Sequence, residues 1–278
     1  MQSNMEKILN PNSTLSISIL SGKGGVGKSN IALNLGYALN KSGNRVLLVD
    51  CDLGLANLDI LIGLTPQANI KSMLDDNIPP EEIILPITGH GLDLLPANTG
   101  IIEGTADQNS ISSIFTERLS PFVLKYDYVL LDIGAGISSA ALSFGAMAML
   151  RCVVITPEPT SLTDSYALIK VMSARKHLRD YFVLVNQIGS KKEETVSFNR
   201  LTGVCKHFLN ITPSLLGAIR EDAQLVEAVR HQKIALEMFP QSKAAKDINA
   251  IAKKIETMRS AMAQRIINVP VLKKDLLA

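Results

Sequence analysis

The sequence contains no tryptophan, and Phe, Trp and Tyr together make up only 4% of its 278 residues. Since 46% of the chain is hydrophobic, we expect a sizeable core built mainly from aliphatic side chains. Net charge is also small, at +2, and does not by itself predict a nucleic-acid partner. The charge is uneven, because residues 241–278 carry +5 and the first 240 residues carry −3.

Cysteine is scarce, with three residues at spacings that fit no metal-binding motif. This pattern predicts a reduced, cytoplasmic protein. The first residues lack the basic and then apolar pattern of a secretory signal. Residues 133–150 form an uncharged run, but its three glycines and three serines favour a buried turn and helix over a membrane span.

Apolar and β-branched runs predict seven strands, separated mostly by helical patterns. The predicted strands cover residues 14–20, 45–50, 92–97, 126–134, 151–159, 181–187 and 214–219. Alternation of strands and helices predicts a single α/β domain whose mainly parallel sheet is covered by helices on both faces. We place an N-terminal extension at 1–13, the main α/β domain at 14–240, and a helix with a basic tail at 241–278.

Helix-start signals are clearest at three places. The stretch SNIALNLGYALNKSG at 29–43 predicts the first helix, with Gly43 just past its end. Ser161 followed by Asp164 has the spacing of a capping box, which predicts a helix over 161–178. Apolar residues at helical spacing predict a last helix over about 241–268, packed on the domain.

The stretch GKGGVGKS at 22–29 fits the pattern of a phosphate-binding loop between a strand and a helix. Glycines allow backbone N–H groups to converge on phosphate oxygens, and the helix N-terminus adds positive potential. Lys28 is expected to bind the β- and γ-phosphates, and Ser29 to bind Mg²⁺. Asp132 ends a downstream apolar strand, where an acidic residue supports the Mg²⁺ shell.

A second lysine, Lys23, lies in the same loop, and KGGVGKS resembles the deviant phosphate loop of the MinD/ParA ATPases. The resemblance implies an ATP-sandwiched homodimer in which Lys23 reaches the nucleotide of the partner subunit. It also implies that Asp52 orients or deprotonates the attacking water and that Asp50 supports Mg²⁺ or the loop. The nucleotide-binding residues implied by the loop and the resemblance are Gly22, Lys23, Gly24, Gly25, Val26, Gly27, Lys28, Ser29, Asn30 and Asn186.

Two further segments match the switches of that family. Asn57, in the first switch, is expected to face the partner subunit. The glycines of the second switch, Gly134 and Gly136, allow rearrangement when the γ-phosphate is lost. Asn186 matches the adenine contact. Arg220 stands where the family often has proline, so the base loop departs from the family pattern.

The segment TPEPTSLTDSYALIKVM at 156–172 resembles the branch of the family that regulates flagellar number. That branch implies a slow, partner-stimulated ATPase that controls flagellum biogenesis. Its implied partners are a flagellar SRP-type GTPase, flagellar switch proteins or a flagellar transcription activator. The implied cofactors are ATP and Mg²⁺.

Other interpretations stay open at this stage. A partition ATPase would bind DNA nonspecifically, although the near-neutral body does not favour nucleic acid. A division-site regulator, a cluster carrier and a non-hydrolysing ATP switch are further alternatives. The apolar and basic segment 264–278 could make a weak contact with the inner face of the cell membrane, strengthened by dimerisation.

Overall fold

A computed structural model describes residues 9–52, 57–70, 72, 78–97 and 117–273. These residues form a sheet of eight strands, in the order β3-β4-β2-β5-β1-β6-β7-β8. All neighbouring strands are parallel except β3, which runs antiparallel to β4. The strands are β1 Leu15–Leu20, β2 Val46–Cys51, β3 Leu85–Thr88, β4 Leu92–Leu95, β5 Tyr128–Ile133, β6 Leu150–Ile155, β7 Phe182–Ile188 and β8 Ser214–Arg220. The predicted fold class is confirmed.

Helices cover both faces of this sheet. They are α1 Lys28–Lys41, α2 Leu58–Leu61, α3 Pro80–Ile83, α4 Ser139–Met147, α5 Pro159–Lys176, α6 Lys191–Leu209, α7 Ala223–Arg230, α8 Ala235–Met238 and α9 Lys243–Ile266. Residues 117–123 are also helical.

Successive side chains of a central strand lie on opposite faces of the sheet, and both faces are buried. The sheet therefore separates two cores. In β5, Val129 and Leu131 pack towards α4, α5 and α6, whereas Leu130 packs towards α1 and α9. Buried apolar side chains on both faces produce the continuous hydrophobic runs that predicted these strands.

Two local predictions are wrong. Strand β3 was missed, because Pro86 and a register irregularity weaken its pattern, and such features are tolerated at a sheet edge. The capping box is also wrong, since α5 begins at Pro159, after Glu158, with no side-chain cap. Ser161 lies inside the helix, and its hydroxyl accepts a hydrogen bond from the Thr156 N–H at 3.0 Å.

The uncharged run at 133–150 forms the end of β5, a turn and helix α4. Within the described ranges, no helix is both long enough and apolar enough to cross a membrane.

The C-terminal segment folds back on the domain. Ile248, Ile251 and Ile255 of α9 are buried in the same core as α1. Beyond α9, Val271 and Leu272 are 3% and 1% exposed, within the core on the opposite face of the sheet. The side chains that made this segment a membrane candidate are thus held by the protein as far as residue 273, where the description ends.

Hydrogen bonds to the backbone of residues 267–273 attach this segment to the rest of the protein. The Ser16 hydroxyl of β1 donates to the Val271 carbonyl at 2.5 Å, and the Lys273 N–H donates to the Met147 carbonyl at 2.9 Å. At the other end of the turn, the Asn10 N–H donates to the Ile267 carbonyl at 2.8 Å. The segment thus connects the first strand, helix α4 and the N-terminal residues.

Leu272→Ala should lower the free energy of unfolding by about 2–4 kcal/mol, because it leaves a cavity in a packed core. Chemical denaturation measures this loss. Lys273→Ala, which truncates an exposed neighbour, should change stability by no more than about 0.5 kcal/mol. Equal stability of the two variants would show that the segment does not pack as described.

Candidate functional site

Strand β1 ends at the middle of the sheet, and the loop that follows it forms an open cradle. Gly25 and Gly27 have φ angles of 76° and 92°, which the left-handed region permits for glycine. A Cβ atom on Gly24 or Gly25 would meet no atom within 4 Å, so the concave side of the loop is open. The next residue after Gly27 begins α1, whose positive end faces the same space.

Two other glycines fix the loop against its surroundings. A Cβ atom on Gly22 would lie 2.1 Å from the backbone of Asp164, so only glycine allows α5 to approach this closely. A Cβ atom on Gly27 would lie 2.6 Å from the Asn186 amide nitrogen. That nitrogen donates to the Val26 carbonyl at 2.8 Å. The loop is therefore held by β7 on one side and by α5 on the other.

Lys28 is the first residue of α1 and is 8% exposed. Burial lowers the pKa of its ammonium group, and the nearby charges of Asp132 and Asp52 oppose this shift. A buried cation at the base of an open cradle is suited to bind a ligand with several negative charges.

Asp50 and Asp132 lie side by side at the ends of β2 and β5, where they are register partners. Both are 1% exposed, and burial is the main cause that raises the pKa of each carboxyl group, to about 6 for Asp50 and about 7 for Asp132. The charge of Asp50 adds to the rise at Asp132, and the charge of Asp52 adds to the rise at Asp50. Asp50 accepts hydrogen bonds from the N–H groups of Asp52, Asn57 and Leu58, at 3.0, 3.0 and 3.2 Å. It is therefore placed to hold the loop after β2, one of the two roles expected for it.

Asp132 has a different environment. A hydrogen bond with the Ser29 side chain favours its charged form, yet its Oδ1 atom is buried without a hydrogen-bond partner among the described residues. An orphaned carboxylate oxygen beside a serine hydroxyl fits a hard cation such as Mg²⁺, which prefers oxygen ligands and bridges to phosphate. Ser29 and Asp132 would hold that ion, with Asp50 behind them.

The two predicted switches meet at this edge. A Cβ atom on Gly134 would lie 3.3 Å from the Asp52 carboxyl carbon, so glycine leaves room for that side chain. The N–H of Gly136, which has a φ angle of 93°, donates to the Ser21 carbonyl at 3.0 Å. Residues 53–56 of the first switch lie outside the described residues, whereas Asn57 directly precedes α2.

Lys23 lies on the outer side of the loop and contacts α5 of its own chain. Its ammonium group pairs with Glu158 and donates to the Thr160 hydroxyl at 3.0 Å. The Lys23 side chain remains 35% exposed and that of Glu158 57% exposed. Sequence reasoning placed Lys23 in the loop but did not find its intrachain partner, which is 135 residues away.

A cavity of about 340 Å³ opens beside the cradle, between α1, β7 and α7. It contains the expected Asn30 and Asn186, and its apolar wall consists of Leu225, Val226 and Val229. Gln187, which has a φ angle of 58°, Arg220, Glu221 and Asp222 complete the lining. No sequence motif predicted the apolar wall, although the helical spacing of 225, 226 and 229 places these residues on one side of a helix.

Comparisons with known proteins agree with this geometry. The ParA family, described as "NUBPL iron-transfer P-loop NTPase", matches residues 12–256. "Antiactivator FleN" of Pseudomonas aeruginosa is 34% identical over 241 residues, covering 87% of this chain and 86% of that protein. "Flagellum site-determining protein YlxH" of Helicobacter pylori is 35% identical over 259 residues, covering 90% and 86%.

One solved structure of similar fold contains a bound nucleotide. The septum site-determining protein MinD of Pyrococcus horikoshii, complexed with Mg-ADP, is 26% identical, with a TM-score of 0.74. The match covers 89% of this chain and 98% of that structure.

Replacing Asp132 should raise stability and weaken the binding of Mg²⁺. A carboxyl group whose pKa is raised by folding binds its proton more tightly in the folded state, so stability falls as the pH rises above about 4. Asp132→Asn removes that penalty and should raise the free energy of unfolding by about 1–3 kcal/mol at pH 8, and by less at pH 5. The measurement is chemical denaturation in EDTA at both pH values.

The same variant should lose the strengthening of ATP binding by Mg²⁺, which titration calorimetry with and without the ion measures. Glu82→Gln, which neutralises an exposed carboxylate far from the site, is the matched control and should affect neither property. If Asp132→Asn behaved like this control, Asp132 would be neither strained by burial nor a magnesium ligand.

Proposed function

The chain belongs to the ParA/MinD family of P-loop ATPases, and on that premise we propose that it is a dimerising switch that regulates the number or placement of flagella. The observation that carries the proposal is 34–35% identity to two proteins named for flagellar control, over 86% of each. The septum-site structure is a more distant match, at 26%. A division-site role is therefore the second choice.

The family uses ATP and Mg²⁺, and the described residues have the chemistry to bind both. We assign Lys28 to the β- and γ-phosphates, the loop 22–29 to the remaining phosphate oxygens, and the cavity beside Asn186 to the base. Ser29 and Asp132 would hold Mg²⁺, which neutralises charge that develops on the phosphates during hydrolysis.

Asp52 is assigned to the attacking water. It lies where the first switch begins and next to Gly134 of the second switch, and its charge is close enough to oppose the lowering of the Lys28 pKa by burial. In this position it can orient a water molecule towards the terminal phosphate and accept its proton. The Asp52 N–H donates to Asp50, which also accepts from the N–H groups of Asn57 and Leu58, so the backbone on both sides of the first switch is held by one carboxylate.

Lys23 is assigned to the partner subunit. Lys28 is the buried lysine of the cradle, whereas the Lys23 side chain is 35% exposed and, within the described part of the chain, contacts Glu158 and the Thr160 hydroxyl group. Such a side chain can leave its own chain at little cost. In an ATP dimer it would bring positive charge to the nucleotide across the interface, as an arginine finger does.

The matched family is described by iron transfer, and this is one competing function. All three cysteines are buried, and burial raises the pKa of each thiol, with Cys205 at about 11. Thiolates are the ligands of iron–sulfur clusters, so these side chains are poorly suited to hold one. Within the described ranges no group of three or more His, Cys, Asp or Glu side chains could hold a metal ion. The flagellar proposal is therefore preferred.

The partner proposed to read the ATP-bound state is a flagellar protein: an SRP-type GTPase, a switch component or a transcription activator. Membrane attachment is a weaker part of the proposal, because Val271 and Leu272 are buried in the conformation described. Attachment through 264–278 would require this segment to leave the domain. Nonspecific DNA binding remains the alternative that a partition ATPase would show.

Dimerisation tests the switch directly. We expect a monomer with ADP, a long-lived dimer with ATP for Asp52→Ala, because the ATP is not hydrolysed, and no ATP dimer for Lys23→Ala. Light scattering measures the mass of each species. The control is Lys125→Ala, since Lys125 is also in an exposed intrachain ion pair, with Glu81. A normal ATP dimer for Lys23→Ala would remove the proposed action across the interface.

The cellular role is tested by removing the gene from its host and counting flagella per cell by electron microscopy. Loss should change the number or position of flagella, and the wild-type gene should restore it. Genes encoding Lys23→Ala or Asp52→Ala should fail to restore the pattern, although both proteins accumulate. An unchanged flagellar count, with defects in division or plasmid retention, would support the alternatives.

A further inference from the structure

Arg220 ends β8 and lines the cavity assigned to the base, yet its charge is directed to a residue outside that cavity. Its guanidinium group donates to both carboxylate oxygens of Asp247, at 2.8 and 2.7 Å. The Arg220 backbone N–H donates to the same carboxylate at 3.0 Å. Asp247 lies in the second turn of α9 and is not part of the cavity lining.

Asp222, two residues later, connects the same two regions. One of its carboxylate oxygens accepts from the Gln224 N–H at 3.0 Å and caps α7. The other accepts from the Ala244 N–H at 3.0 Å, in the first turn of α9. A single side chain therefore satisfies backbone donors at the start of two helices.

These contacts form a clamp, which we define as Arg220, Asp222 and Asp247. The clamp joins the loop that forms one side of the cavity to the start of α9. Helix α7, which provides the apolar wall, follows this loop at once, since only Glu221 and Asp222 separate it from β8. The position of the apolar wall in the cavity therefore depends on how the loop between β8 and α7 is held.

Helix α9 is a firm support for the clamp. Its buried isoleucines share a core with α1, the helix that carries Lys28 and Ser29. The clamp therefore fixes the base cavity relative to the phosphate cradle through a third element. A nucleotide whose base and phosphates are bound in separate places gains affinity only if that spacing is correct.

We propose that Asp247 and Arg220 are positioning residues for the base of the nucleotide, and that they set the affinity of the cavity for adenosine without Asp247 touching it. The inference rests on the proposed assignment of the cavity to the base. Arginine is suited to this role because its planar fork binds both oxygens of one carboxylate.

Exposure separates this role from a purely structural one. The Arg220 and Asp247 side chains are 44% and 18% exposed, and ion pairs of this kind contribute little to global stability. We therefore expect their removal to leave the unfolding temperature almost unchanged while the loop beside the base loses its fixed position.

Binding of ATP and of inorganic tripolyphosphate, measured by titration calorimetry on the full chain, tests the proposal. For Asp247→Asn, the Kd for ATP should rise about five- to tenfold, and the Kd for tripolyphosphate should stay within about twofold, because only ATP uses the cavity. The KM for ATP should rise by a similar factor, with kcat within about twofold. The double variant Arg220→Asp/Asp247→Arg should recover most of the ATP affinity that either single change removes.

Asp127→Asn is the matched control. It breaks the ion pair of Arg259, at the other end of α9, and should leave both affinities unchanged. Equal weakening of ATP and tripolyphosphate by Asp247→Asn would overturn the proposal, as would no weakening or failure of the double variant to recover affinity.

Failure of the broader proposals gives different results. Wild-type protein that bound ATP no more tightly than tripolyphosphate would remove the base assignment and this inference with it. Asp247→Asn at saturating ATP should still form the dimer, since the clamp acts on affinity alone. Loss of the dimer in wild-type protein would instead count against the switch and leave the clamp result standing.

Discussion

The site depends on two carboxylates and one ammonium group that are buried together at the end of a parallel sheet. Asp50, Asp132 and Lys28 are all less than 9% exposed, and burial opposes the charged form of each one. Because helices cover both faces of the sheet, these charged side chains meet the open cradle at the ends of the strands. Lys28 supplies one positive charge beside two carboxylates, so a bound metal cation would improve the local balance of charge.

The same group controls the loops that would sense the nucleotide. Asp50 holds the first switch through three backbone N–H groups, and Gly136 of the second switch is bonded to Ser21, just before the cradle. Among the described residues, each predicted switch is thus attached to the site by backbone hydrogen bonds. Such loops can exchange between two arrangements when a phosphate is bound or lost.

Local patterns in the sequence predicted most of the fold and the cradle. Seven of the strands follow from apolar runs, and the loop at 22–29 has a spacing that permits few other structures. Strand β3 was missed because a sheet edge tolerates Pro86. The role of Ser161 was misread because a hydroxyl near a helix start can bond the preceding strand as easily as cap the helix. The pair Lys23–Glu158 and the clamp join residues far apart in the chain, and no local pattern encodes such contacts.

The two lysines of the loop differ in how firmly they are held, and this difference bears on the proposed dimer. Moving Lys28 would leave Asp132 and Asp52 without a cation in a buried site, which is costly. Moving Lys23 would break only an exposed ion pair and one hydrogen bond, at a cost of about 0–2 kcal/mol. In the proposed dimer, the nucleotide of the partner subunit carries several negative charges. It would attract the Lys23 ammonium group more strongly than the single carboxylate of Glu158 does. The chain can thus keep one lysine fixed for its own ATP while the other remains free to change partner.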